Sequence, residues 1–354
     1  MDFDIVIVEG LGHVGLPAGL LWADAGLNVG SLDDNESRRA IVASGRMPFV
    51  ERDAEPMLKR TLGKTFHLLK DWSDLARAKA ILVPVGTPVD EHGTPQLSVL
   101  TRLAERMLPH LRDGQHIILR STVYPGTTER LREFFIGKGL RIHLAFCPDR
   151  IVAGDTLRGL KEHPHIISSF TPEGRAFCTN LFKKLGPLIV ETGVVEAELV
   201  KLFTSNWRYV SFAVANQFYM MSETFGGNIR EIYRAMTTDY PDGAGISKPG
   251  FAAGPSLLKD TMQLSAFQPN DFSLGYAAMQ INEGLPSFCV EQIRQNHRLK
   301  GMKVGLLGMA YKPGVDDIRD SLSFKLRKLL AFHGAEVLCT DEYVVSDQFL
   351  PLET

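Results

Sequence analysis

The sequence predicts an α/β chain. It opens with a doubly wound parallel sheet, passes through an all-α middle built on one long helix, and ends in a second, partial α/β lobe. Three observations predict this. Short apolar runs alternate with helical patterns through the first half, which implies a parallel sheet covered by helices on both faces. A stretch free of Gly and Pro runs from residue 196 to residue 225. Strand-like runs then return near the C-terminus in a pattern that copies the start.

The runs at 5–8, 28–32, 80–85, 116–119 and 142–146 read as buried strands. In the 196–225 stretch, Leu199, Leu202, Phe203, Trp207, Val210, Val214, Phe218 and Met221 recur at three- and four-residue steps. That spacing predicts one amphipathic helix about 45 Å long, at 1.5 Å rise per residue. Helical texture continues to about residue 296, and strands return at 302–307 and 336–339. Gly10 after the first strand is echoed by Gly308. Gly26-Leu27-Asn28-Val29 is echoed by Gly334-Ala335-Glu336-Val337, and Asp33 and Asp341 each stand just past a second strand. The expected division is 1–195, 196–298 and a short final lobe, 299–354.

Composition excludes several classes. The formal net charge is -2 with 44% apolar residues, which leaves no basic footprint for nucleic acid or an anionic membrane. No apolar run approaches the roughly 18 residues that span a bilayer. The N-terminus carries no basic leader, so a cytoplasmic location is expected. Cys147, Cys178, Cys289 and Cys339 are widely spaced with no CxxC pair, which argues against a disulfide frame or a zinc site. No metal is expected.

Gly10-Leu11-Gly12-His13-Val14-Gly15 is a complete G-x-G-x-x-G between a strand and a helical run at 16–25, and Asp33 ends the next strand. This context reads as a Rossmann-type dinucleotide site. Gly10 suits the tight turn, Gly12 lets backbone approach a pyrophosphate, and Gly15 lets helix pack on strand. The helix N-terminus offers unpaired N–H groups to phosphate. Asp33 is suited to a ribose 2′-hydroxyl, which favours NAD over NADP. His13 and Val14 lie in the same loop and join the expected cofactor contacts.

Further motifs carry a resemblance. They are Val85-Gly86-Thr87-Pro88-Val89-Asp90-Glu91-His92, Arg120-Ser121-Thr122-Val123-Tyr124-Pro125-Gly126-Thr127-Thr128, Cys147-Pro148-Asp149-Arg150 and Ala197-Glu198-Leu199-Val200-Lys201-Leu202. Two more are the segment from Pro249 to Asp260 and Gly308-Met309-Ala310-Tyr311-Lys312-Pro313 with Asp316-Asp317-Ile318-Arg319-Asp320-Ser321. In this order they resemble the UDP-glucose/GDP-mannose dehydrogenase family over nearly the whole chain. The resemblance implies oxidation of the C6 hydroxyl of a nucleotide sugar toward the uronic acid with NAD as acceptor. It implies a UDP-sugar substrate, UDP-glucose first, and a homodimer built through the long helix. In such enzymes a cysteine captures the aldehyde, so that one hard oxidation becomes easier steps.

Carried over by position, the resemblance makes Lys201, Asp260 and Thr122 catalytic, and adds Gly86, Thr87, Pro88, Ser121 and Thr122 to the cofactor contacts. It assigns Asp149, Arg150, Ile151, Lys201, Asn206, Phe251, Gly254, Lys259, Lys312 and Arg319 to the substrate. Arg319 suits diphosphate oxygens. Three positions depart from the family pattern. Ser256 stands at the nucleophile position in place of cysteine. Ser205 stands four residues after Lys201, where asparagine is expected, with Asn206 beside it. Asp149 stands where glutamate is usual. A serine hydroxyl is far less acidic than a thiol and needs a dedicated base. The expectation is that the first oxidation survives and the thioester route does not. Two alternatives follow: a two-electron oxidoreductase or epimerase on a nucleotide sugar, or a catalytically impaired nucleotide-sugar binding protein. Trp22, Trp72 and Trp207 read as packing residues, and Cys147 as a buried thiol.

Overall fold

Eight strands form one sheet in the computed structural model, which describes residues 2–87, 96, 98–267 and 272–351. They are β1 (Phe3–Val8), β2 (Val29–Leu32), β3 (Phe66–Leu69), β4 (Ala78–Val83), β5 (His116–Leu119), β6 (His143–Phe146), β7 (His165–Ser169) and β8 (Ile189–Glu191). Their order is β3-β2-β1-β4-β5-β6-β7-β8. The helices around them are α1 (Gly15–Asp24), α2 (Glu36–Ala43), α3 (Ala54–Thr61), α4 (Ser98–Met107), α5 (Thr127–Gly137), α6 (Thr156–Glu162) and α7 (Pro172–Phe182).

Alternation along each strand builds two cores. Ile5 and Ile7 of β1, Leu82 of β4 and Ile118 of β5 pack with Leu16, Leu20 and Trp22 of α1. Val6 and Val8, Ile81 and Val83, and Ile117 and Leu119 turn the other way, toward Leu100, Leu103, Met107 and Phe135. A strand buried on both faces is what a parallel sheet under two helix layers requires. One pair departs from the expected parallel order: β6 and β7 run antiparallel, with Ala145 opposite Ser169. An apolar run carries no mark of its direction, so the sequence held no signal for this reversal.

Three strands bear no clear mark in the sequence. β3 is four residues and β8 three, and β8 is largely exposed. β7 ends in two serines, whose hydroxyls donate to the carbonyls of Phe146 and Leu144 across the sheet at 2.7 and 2.9 Å. Those bonds make the polar residues compatible with full burial.

The chain divides into two compact units, Met1–Leu202 and Phe203–Thr354. The boundary falls inside α8 (Val194–Thr224), the long helix, which has 31 residues. The second unit continues with α9 (Ile229–Thr237), α10 (Leu257–Phe267), α11 (Ser273–Asn296), β9 (Lys303–Leu307), α12 (Leu322–Phe332) and β10 (Glu336–Thr340). Tyr209, Ala213, Ala252 and Ala278 form one core there, and Val290, Leu299 and Leu330 another. β9 and β10 pair in parallel, with Glu336 opposite Lys303.

The internal echo holds at atomic detail. Asp33 accepts the Leu11 N–H on one oxygen and the Asn35 N–H on the other, both at 2.9 Å. Asp341 accepts the N–H groups of Met309 and Ala310 on one oxygen and of Tyr343 and Val344 on the other. In each lobe the aspartate past the second strand ties down the loop past the first. Burial pushes the Asp341 carboxyl up, but the four N–H groups prevail and hold it below the usual range.

One packing expectation fails. Trp22 is fully buried and its indole N–H donates to the Leu181 carbonyl at 3.1 Å. Trp72 lies under the Arg106 guanidinium at 3.8 Å. Trp207, however, is 74% exposed, on an α8 face shared by Phe203, Val214, Phe218 and Met221. The helical period was right, but it reported an apolar stripe rather than burial.

Candidate active site

In the first unit the glycine loop joins β1 to α1. A Cβ on Gly10 would lie 2.6 Å from Ser31 Oγ and 2.8 Å from the Ile7 carbonyl. A Cβ on Gly15 would lie 2.8 Å from the Gly10 carbonyl. Both glycines are therefore demanded by the protein's own packing. Among the described residues nothing lies within 4 Å of a Cβ on Gly12, so they leave that space open. Open space beside a helix N-terminus, with a buried aspartate at the next strand end, fits a dinucleotide pyrophosphate. Asp33 keeps acceptor capacity beyond its two backbone bonds, since each carboxylate oxygen has two lone pairs. His13 stacks on Phe49 with ring centroids 4.0 Å apart.

The other segments expected on the cofactor side meet at the ends of β4 and β5. The Thr87 hydroxyl donates to the Thr122 carbonyl, and the Ser121 hydroxyl to the Val83 carbonyl at 3.2 Å. Pro88 and residues 89–92 of the same motif lie outside the described residues. Arg120, buried, donates to the Cys147 carbonyl at 3.3 Å and pairs with Asp149 at 3.2 Å. Its guanidinium also lies 5.3 Å from the Phe182 ring centre. Asp149 is thus held by a charge-assisted bond from within the first unit. Arg150 donates to the Pro164 carbonyl at 2.8 Å, and Ile151 packs beside the α1-side core. Lys201, half-buried, stands one turn beyond Glu198 on α8.

The second unit assembles the remaining residues around α10. Ser256 lies at the start of that helix: its carbonyl accepts the Asp260 N–H at 2.8 Å, its side chain is exposed, and its hydroxyl forms no hydrogen bond among the described residues. Asp260 is fully buried. The Lys259 ammonium lies 3.5 Å from its Oδ1, and neither carboxylate oxygen accepts a hydrogen bond among the described residues. Asn206, not Ser205, reaches α10: its amide donates to the Asp260 carbonyl at 3.4 Å. Ser205 is buried beside it.

The loop before Ser256 is held by residues that the sequence did not single out. The Asn216 amide both accepts from the Gly250 N–H at 2.8 Å and donates to the Gly250 carbonyl at 3.0 Å. It also donates to Asn282 Oδ1 at 2.8 Å, and Asn282 donates to the Tyr209 carbonyl at 3.0 Å. A buried amide chain with every member bonded fixes one geometry. Gly254 has φ +102°, and a Cβ there would meet the Tyr311 ring at 2.5 Å. Tyr311 is thereby packed against the loop before Ser256, and burial, with Asp317 nearby, pushes its phenol up to about 12. Arg319 forms a two-pronged pair with Asp317, at 2.6 Å for the shortest contact, and more than half of its side chain is exposed. Phe251 and Lys312 are half-buried. Asn216 and Asn282 carry no local signal beyond polarity, and the motif around Tyr311 does not show its contact with Gly254, because each is defined by a partner dozens of residues away.

Comparison with known proteins gives the family. The chain belongs to the UDP-glucose/GDP-mannose dehydrogenase family. Residues 4–186 match the family's NAD binding domain, 195–284 its central domain and 305–351 its UDP binding domain. NAD is therefore its cofactor. The UDP-N-acetyl-D-mannosamine dehydrogenase of Methanocaldococcus jannaschii is 29% identical over 353 residues, covering 99% of this chain and 81% of the relative. That of Escherichia coli (strain K12) is 26% identical over 366 residues, covering 96% and 86%. The solved UDP-D-ManNAc dehydrogenase of Pyrococcus horikoshii superimposes with TM-score 0.89 at 28% identity, over 96% of this chain and 84% of that one. A UDP-glucose dehydrogenase from Pyrobaculum islandicum, at 24% identity, shares the fold with TM-score 0.91 over 100% and 87%.

Proposed function

We propose that this family member oxidises the C6 hydroxyl of a UDP-linked hexose with NAD and releases the aldehyde as its main product. The observation that carries this reading is Ser256: an exposed hydroxyl without a hydrogen-bonded base, at the head of α10 where the family pattern has cysteine. An alcohol that no base deprotonates is a poor nucleophile, so the thioester that a thiolate would form is not expected.

Gly12, the α1 N-terminus and Asp33 would hold NAD, which supplies the two-electron acceptor when bound. The remaining work falls to side chains of the chain itself. Lys201 is assigned to stabilise negative charge developing on the substrate C6 oxygen, as a fixed ammonium does best where water is excluded. Asp260, whose buried carboxylate is charge-paired with Lys259 and accepts no hydrogen bond among the described residues, is assigned to take a proton. Thr122, Asp149, Ser205 and Asn206 are assigned to orient substrate and water, and Arg319 with Lys312 to bind the diphosphate. Oxidation beyond the aldehyde is confined to its hydrate: water adds across the carbonyl, and the resulting diol is oxidised by a second NAD.

UDP-glucose is the sugar that the sequence motifs bring forward. The names carried by the relatives from M. jannaschii and E. coli add UDP-N-acetyl-D-mannosamine. A cytoplasmic location is in keeping with four free cysteines. The exposed α8 stripe supports a homodimer through that helix. Product analysis over a panel of UDP-sugars tests the reading. NADH with aldehyde supports it; uronate formed at ordinary dehydrogenase rates overturns it; binding of every sugar without turnover gives a binding protein instead.

A further inference from the structure

We propose that Glu198 is a positioning residue that locks the loop from Arg120 to Thr128 to the turn of α8 carrying Lys201. The inference rests on the roles given above to Lys201 and Thr122, and adds a residue to which neither the motifs nor the comparisons assign a task.

Glu198 is fully buried. Its Oε2 accepts the Gly126 N–H at 2.6 Å, and its Oε1 accepts the Thr128 N–H at 2.8 Å together with the Thr128 hydroxyl. These donors are the first N–H groups of α5, whose N-cap, Gly126, has no side chain to offer them. A helix start can be capped locally by Ser, Thr, Asp or Asn at little cost. Here the cap is instead a carboxylate 70 and 72 residues away. Burying a carboxylate is expensive unless it is fully hydrogen-bonded, and the helix N-terminus together with three donors offsets that cost. What the distant cap adds over a local one is a connection.

The connection joins the parts that matter. Within the same loop Ser121 is tied to β4, Thr122 to Thr87, and Arg120 to Asp149. On the other side Lys201 lies three residues after Glu198, on the same face of α8. One carboxylate therefore sets the distance between the Lys201 turn and the Thr122 loop. Gln at this position would keep the shape but present an NH2 group to one of the backbone donors. Asp would keep the charge and pull the two segments together by one methylene.

The test is a double-mutant cycle with Lys201→Ala, read as the rate of NADH formation from the best sugar of the panel. Glu198→Gln and Glu198→Asp are each expected to lose tenfold or more in rate while sugar affinity stays within threefold. Combined with Lys201→Ala, each is expected to lose no more than Lys201→Ala alone, because Glu198 acts through Lys201. Additive losses, or a folded single variant at full rate, would overturn the assignment. Hydrogen exchange in the same proteins, without substrate, gives a readout that needs no turnover. Residues 121–128 and 199–203 are expected to open together in Glu198→Gln, and opening of one segment alone would also overturn it. A chain that turns over no sugar would sink the dehydrogenase reading and leave the exchange result to decide on Glu198.

Discussion

Two glycines of one loop, two residues apart, differ in what a side chain would meet. Gly10 faces Ser31 and Ile7, and Gly12 faces open space. Gly10→Ala forces backbone and side chain apart and is expected to destabilise the first unit by ~1–3 kcal/mol, the range of overpacking. Gly12→Ala is expected to leave the melting midpoint unchanged and weaken NADH binding tenfold or more. Urea denaturation and NADH fluorescence titration separate the two, and equal destabilisation by both would contradict the assignment. Gly10, Gly12, Gly15 and Asp33 were legible in the sequence because a dinucleotide loop depends on short spacings. Asn216 was not, nor were the contacts of Glu198 and Tyr311, although both stand inside quoted motifs, since their meaning lies in Gly250, Thr128 and Gly254. No spacing rule links residues that far apart.

At the scale of elements, β5 and β7 each carry a histidine held neutral. Burial lowers His116 to about 4, with His143 adding to the effect. Burial also lowers His165 to about 4, with Arg120 next in importance. The unfolded chain titrates near 6.5. Above that pH neither state binds the proton, and stability does not depend on these groups. Below it the unfolded chain takes up protons first, so stability falls by ~1.4 kcal/mol per pH unit for each histidine until pH nears 4. Urea midpoints should drop between pH 7 and pH 5, and the drop should be smaller in His165→Gln; an unchanged slope in that variant would contradict the burial argument. The elements themselves were read well where apolar runs were long. β1, β2, β4, β5 and β6 were found within about two residues at each end. β3, β7 and β8 were lost because they are short or end in polar residues that only cross-sheet bonds make buriable. The direction of β7 was not legible at all.

The whole molecule presents an unpaired surface. Phe203, Trp207, Val214, Phe218 and Met221 repeat along α8 and stand exposed, and Phe225 just beyond is 84% exposed. A stripe of this kind is what a partner helix covers. Light scattering at micromolar concentration should show a dimer, and Trp207→Asp should shift it to monomer without unfolding either unit. A monomeric wild-type chain would contradict the pairing. Among the described residues no helix is long and apolar enough to cross a membrane. The fold class was legible at this scale because alternation, helix length and the doubled strand–glycine–aspartate pattern span the chain. The identity of the sugar was not, since it depends on side chains gathered from many segments.

Under the proposed reading Ser256 is the residue that sets how far the oxidation goes, and the yield of NADH per sugar consumed tests it. With UDP-glucose and UDP-N-acetyl-D-mannosamine in turn, the wild-type chain should release about one NADH per sugar and leave an aldehyde that a hydrazine traps. Ser256→Cys should raise this toward two, with uronate as product, because a thiolate can capture the aldehyde. Two NADH per sugar and uronate from the wild-type chain, at the rate of Ser256→Cys, would contradict the account at its centre.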